Sequence, residues 1–140
     1  WYNWGIEQMG AKWVSIEDWD TSGVFSGHSA WSPIYPLVEN LVRHLDEVLD
    51  TQVWAKFTYE DEFRNFIGKA SIYSHRSIDG TEVITDVDEL DSDEVYAWVY
   101  EPLGLEEIPD DFEWYEPQEK LEGYPADEWL DNKVYDWFSE

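Results

Sequence analysis

Twenty of the last 55 residues of this chain are Asp or Glu, and two are Lys. By segment, the net charge is −5 over residues 1–59, −2 over 60–85, −6 over 86–100 and −12 over 101–140. The whole chain of 140 residues carries 33 acids against eight bases, a net of −25. Such a polypeptide repels itself when compact, and repels nucleic acid and anionic lipid as well. Its natural partners are cationic, either a basic groove on a protein or metal ions. The asymmetry along the chain is the most informative charge pattern it has.

The length fits one domain with an appended tail, enough to bury about two thirds of the surface of the unfolded chain. An apolar share of 43% argues against disorder throughout. Ten Trp, nine Tyr and six Phe make 18% of the residues, so large rings serve a core, an interface or both. Cysteine is absent, which excludes disulfides. No apolar run approaches the ~18–20 residues of a membrane span, and no signal-peptide pattern opens the chain at Trp1. The expected location is the cytoplasm, with no membrane partner.

Periodicity divides the first 85 residues into regular elements. Lys12–Asp20 and Gly23–Trp31 read as strands joined by a turn at Thr21–Gly23. Ser32-Pro33 resembles an N-cap followed by a first-turn proline, opening a helix from Pro33 to about Leu49. Leu37, Leu41, Leu45 and Val48 share its expected apolar face. Strands follow over Gln52–Tyr59, Asn65–Ser74 and Glu82–Val87, with Asp79-Gly80 in the hairpin turn between the last two. Asp86–Glu94 is expected as a loop or helix start, and Val95–Tyr100 as a strand or helical turn. Residues 101–125, with four prolines, read as irregular, and Ala126–Phe138 as an amphipathic helix. Trp13, Trp19, Trp31 and Trp54 are expected in the core.

The opening W-Y-N-W-G-I-E-Q-M-G-A-K-W, with A-W-S-P at Ala30–Pro33, resembles the phage- and plasmid-encoded YubB-like family. Trp1, Tyr2, Trp4, Glu7, Gly10, Lys12, Trp13, Trp31, Ser32 and Pro33 match its pattern, while Met9, Ala11 and Ile34 depart from it. The resemblance covers about residues 1–74. It implies a mobile-element origin in a bacterial host and an α+β fold, a ferredoxin-like antiparallel sheet with a helix packed on one face. It implies no activity. The expected division is a ferredoxin-like domain over 1–100 and an acidic extension over 101–140 ending in a helix.

Catalytic patterns are weak. His28, His44 and His75 lack metal-ligand spacing, and there is no nucleophile elbow and no phosphate loop. Counted from Asp86, a calcium loop of the EF-hand type would place Asp91 where Gly is needed and Ala97 where Glu is needed. The expectation is a protein that is not an enzyme and uses no cofactor or metal.

What remains is the acidic surface. Duplex DNA carries one charge per ~1.7 Å of axis, and carboxylates spaced along two neighbouring elements approach a comparable linear density. The candidate partner-binding residues are Asp86, Asp88, Asp91, Asp93, Glu94, Glu106, Glu107, Asp110, Asp111, Glu113, Trp114, Glu116, Asp127, Glu128 and Asp131. Trp98, Tyr100, Trp114, Tyr115, Trp129 and Trp137 lie among the acids as expected anchors. One reading is a nucleic-acid mimic that inhibits a basic, nucleic-acid-binding host defence protein, such as a restriction or CRISPR effector, without touching nucleic acid itself. The other is a protein-interaction or accessory domain whose acidic surface only solubilises it.

Overall fold

In the computed structural model, which describes residues 14–19, 22–29 and 32–140, strands and helices are mixed in two antiparallel sheets and three helices. The order is β1 (Val14–Trp19), β2 (Phe25–Ser29), α1 (Tyr35–Leu49), β3 (Trp54–Glu60), β4 (Phe66–Ser77), β5 (Gly80–Asp91), α2 (Ser92–Tyr100) and α3 (Ala126–Ser139). β1 and β2 pair with each other, and the second sheet has the order β3-β4-β5. Among the described residues the strands thus fall into two sheets rather than one. Trp13 and Trp31, expected in the core, lie outside the described residues, as do eight of the ten residues that match the YubB-like pattern.

Contacts divide the chain into two units. The first holds Trp1–Phe57 and Ala70–Asp86, the second Thr58–Lys69 and Val87–Glu140. The boundary falls inside β3, β4 and β5, so neither unit is one continuous stretch of chain. This partition differs from the expected 1–100 and 101–140, because residues 101–140 share a core with Ile67 and α2 instead of forming an extension.

In the first unit, α1 packs on the sheet through Val38 and Val42, which meet Ile72, with Val53, Ala55, Phe57 and Val83 around them. The helix begins at Tyr35 with Pro36 in its first turn, where a missing N–H breaks no helical bond. Ile34 rather than Ser32 is its N-cap. The buried stripe is Val38, Val42 and Asp46. The expected stripe of Leu37, Leu41 and Leu45 lies half-buried beside it, and Val48 is 63% exposed. Arg76 accounts for the difference. Its Nε and Nη2 donate to the two Asp46 carboxylate oxygens at 3.3 and 3.1 Å, and Nη1 donates to Asp50 at 3.1 Å. A buried carboxylate so paired can lie where an apolar residue would be expected.

The Arg76 hydrogen bonds, followed by one from Ser74, hold the Asp46 carboxyl below its ordinary 3.8. A carboxylate with a lowered folded-state pKa contributes stability above its unfolded pKa and loses it as pH falls through the folded value. Comparing wild type with Asp46→Asn by urea unfolding should show a gap that is constant from pH 7 to about pH 5 and closes below about pH 4. A gap unchanged at pH 3 would refute the linkage.

The core of the second unit consists of Ile67 on β4, Val95 and Val99 on α2, Leu121, and Ala126, Leu130 and Val134 on α3. Full burial of one aliphatic side chain contributes about 1.5–3 kcal/mol, so the residues after 100 supply much of this unit's stability. Leu121 sits in a 3-10 turn (Glu119–Leu121) closed by an isolated bridge between Pro117 and Pro125. The proline-containing stretch is irregular but pinned, with the Asp127 N–H donating to the Trp114 carbonyl at 3.2 Å.

Within 86–100 a strand as far as Asp91 corrects the expected loop or helix start, and of the strand or helical turn expected over Val95–Tyr100 the helical alternative is found. β5 runs on to Asp91, since pairing with β4 overrides the poor strand preference of Asp and Glu. Ser92–Tyr100 is a helix, capped by the Asp91 side chain accepting from the Glu94 N–H at 2.9 Å. Asp93 and Glu94 in its first turn, and Asp127 and Glu128 in that of α3, suit the positive ends of the helix dipoles.

Candidate functional site

The charge asymmetry follows the units. The second unit holds 22 acids and four bases in 66 residues, while the first holds eleven acids and four bases. Three of those four cations in the second unit are already engaged. Lys69 Nζ donates to the Trp137 carbonyl at 2.9 Å, near the α3 C-terminus, and lies 4.4 Å from the Trp137 ring centroid. Lys133 lies 4.5 Å from the Trp129 ring centroid, one turn away on the same helix. Arg64 pairs with Asp131 at 2.7 Å and Glu60 at 3.2 Å. Burial opposes the Arg64 charge, but these two carboxylates outweigh it and hold the guanidinium charged above its ordinary range. Among the described residues, Glu60 and Asp131 are the acids of this unit within ion-pair distance of a base.

The fifteen candidate residues are distributed as follows. Asp86 belongs to the first unit and the other fourteen to the second. Asp86, Asp88 and Asp91 lie on β5, Asp93 and Glu94 on α2, and Asp127, Glu128 and Asp131 on α3. Glu106, Glu107, Asp110, Asp111, Glu113 and Glu116 lie in the pinned irregular stretch. All fourteen carboxylates are exposed except Asp127, which is half-buried.

The aromatic anchors need revision. Trp98, Trp114, Trp129 and Trp137 pack against the core of the second unit. Trp114 meets Phe112 and Tyr96 edge-on, with centroids at 5.0 and 6.0 Å, and the Trp129 Nε1–H donates to the Trp98 carbonyl at 2.8 Å. A unit so rich in charge draws buried area from rings, and these four tryptophans, each half-buried, line the core. Tyr100 is half-buried, and of the expected anchors Tyr115 is exposed, at 80%. Trp54, expected in the core, is 63% exposed and stacks on Tyr73 at 4.8 Å.

Sequence reasoning missed the β3–β4 turn, Asp61–Asn65. Asp61 Oδ2 accepts from the Phe63 N–H at 3.1 Å, the Asn65 N–H at 3.2 Å and the Asn65 amide at 2.8 Å. The Tyr96 hydroxyl donates to the Phe63 carbonyl at 3.0 Å. Arg64 takes the left-handed conformation at φ 53°, which costs a non-glycine residue about 1–2 kcal/mol. Its two ion pairs give the side chain a reason to be there. The result is a fixed turn presenting the Phe63 ring, 71% exposed. Beside it opens a cavity of about 530 Å³ whose walls include Phe63, Tyr96, Arg64 and the carboxylates of Glu60, Asp61, Glu62 and Asp131. The signal in the sequence is E-D-E-F-R-N, a lone ring among acids with Asp and Asn at turn spacing.

A further cross-strand contact supports this end of the sheet. The Tyr59 ring on β3 lies over Gly68 on β4, where a Cβ would fall 2.0 Å from it, and its hydroxyl donates to Glu89 on β5 at 2.5 Å. Glycine is required there by the close approach of the ring.

No group of three or more His, Asp or Glu placed to hold a metal ion occurs among the described residues. None of their helices is long and apolar enough to cross a membrane. Compared with protein-family models, curated proteins and solved structures, the chain matches none.

Proposed function

We propose that this protein binds a basic, nucleic-acid-binding protein and occupies its groove in place of the polyanion. The observation that carries the reading is the second unit's 22 acids against four bases, three of which are engaged internally. A fixed excess of exposed carboxylate attracts a cationic cleft from a distance and raises the encounter rate. The YubB-like resemblance supports a mobile-element origin and a ferredoxin-like ancestry of the strands. With it, the partner becomes a host defence protein such as a restriction or CRISPR effector, met in the bacterial cytoplasm. No catalytic step, cofactor or nucleic-acid contact belongs to this proposal.

Affinity chromatography from a bacterial lysate tests it. The immobilised protein should retain a nucleic-acid-binding protein that is released between about 50 and about 500 mM NaCl, where screening shortens from more than 10 Å to a few Å. Capture that ignores salt, or that yields no nucleic-acid-binding protein, would overturn the reading.

A second reading is favoured by the exposed Trp54 ring, stacked on half-buried Tyr73 on the sheet of the first unit. It makes the protein an interaction or accessory domain that docks by an aromatic surface, its acids serving solubility. Trp54→Ala would then abolish capture, and salt would not.

A further inference from the structure

We propose that the cavity beside the β3–β4 turn receives an arginine side chain from the basic partner, its guanidinium lying against the Phe63 ring and Glu62. This rests on the reading of the second unit as the seat of a basic protein, and it names the point of specific contact. Three observations lead to it. The walls carry four carboxylates against one cation, a formal excess of three negative charges. Arg64 already shows the chemistry these walls accept, with Nη2 2.7 Å from Asp131 and Nε 3.2 Å from Glu60.

The third observation concerns what Arg64 leaves unused. Among the described residues Glu62 has no hydrogen-bond or ion-pair partner, and Phe63 leaves 71% of its surface in water. The fold gains little from an exposed phenyl ring at a turn whose backbone is bonded on both sides of it. A ring held at one position beside a free carboxylate suits a flat cation, which stacks on the ring and bonds the carboxylate at once. Because the turn is fixed before binding, little conformational entropy is lost when the partner arrives. Arginine fits better than lysine, whose compact, strongly hydrated ammonium can sit over a ring, as Lys69 and Lys133 do, but has no plane to stack on it while bonding the carboxylate.

The probes are hexa-arginine and hexa-lysine peptides, titrated at low salt with calorimetry and amide chemical shifts as readouts. Hexa-arginine should bind more tightly, with its largest shifts at Glu62, Phe63 and Tyr96. Phe63→Ala and Glu62→Gln should each weaken it by about threefold to tenfold, while the urea midpoint stays unchanged because both side chains are exposed. Equal binding of both peptides by wild type and both variants, with shifts spread over Glu106–Glu116, would overturn the cavity and leave the acidic-surface reading standing. Binding of neither peptide at low salt would overturn both.

Discussion

Replacing Leu121 by Ala should destabilise the protein by about 2–5 kcal/mol, the range for emptying a fully buried leucine site. Leu121 has no exposed surface and lies in a 3-10 turn whose ends are tied by the Pro117–Pro125 bridge, so the surroundings have little freedom to collapse into the space. Total stabilities of domains are about 5–15 kcal/mol, so this one substitution removes a large part of the margin. Urea unfolding followed by tryptophan fluorescence measures it. Ile78→Ala is the control. That side chain is fully exposed in the β4–β5 turn, and its removal should change stability by no more than about 0.5 kcal/mol. If the two variants unfold alike, residues 101–140 are a peripheral extension after all and the core assigned here to the second unit is wrong.

Neutralising Glu106, Glu107, Asp110, Asp111, Glu113 and Glu116 together to the matching amides should slow association with the captured partner by about tenfold to a hundredfold. All six are exposed, and none has a base within ion-pair distance among the described residues, so the amides keep the shape and lower the unit's formal net charge from −18 to −12. The dissociation rate should change far less, because screened charges at a rim steer encounter more than they hold the complex. Surface plasmon resonance at two salt concentrations separates the two rates. An association rate that survives the six substitutions would make the acids a solubilising surface and favour docking through Trp54.

Local pattern carried the reading of the elements up to the Asp79-Gly80 turn and of the final helix, while non-local packing decided the stretch between them and which faces are buried. The Asp79-Gly80 turn was legible because a turn is decided by adjacent residues, and Gly80 takes the positive φ expected of it, at 125°. On α1 the helix was legible and its face was not. Apolar spacing pointed to Leu37, Leu41 and Leu45, and no local rule announces that Arg76, thirty residues on, will draw Asp46 inside. β5 looked like a loop or helix start beyond Val87 because its acids are poor strand formers taken singly, yet pairing with β4 decides. The contact of Ile67 with Val95, Leu121 and Leu130 leaves no periodic trace, so the acidic third read as an appendage. At the candidate site, exposure of the carboxylates was foreseeable from their chemistry. Which rings would be spare was not, since Trp114 and Phe63 differ only in what the folded chain brings against them.

The discontinuous second unit has a consequence during synthesis. Ile67 emerges from the ribosome 67 residues ahead of Val134, and at about 5–20 residues per second its partners on α3 follow only some seconds later. For that interval the nascent strand carries apolar side chains that nothing covers, the condition under which growing chains stick to one another. The carboxylates from Asp86 onward are made in the same interval, and mutual repulsion between neighbouring polysomal chains then guards the unfinished core.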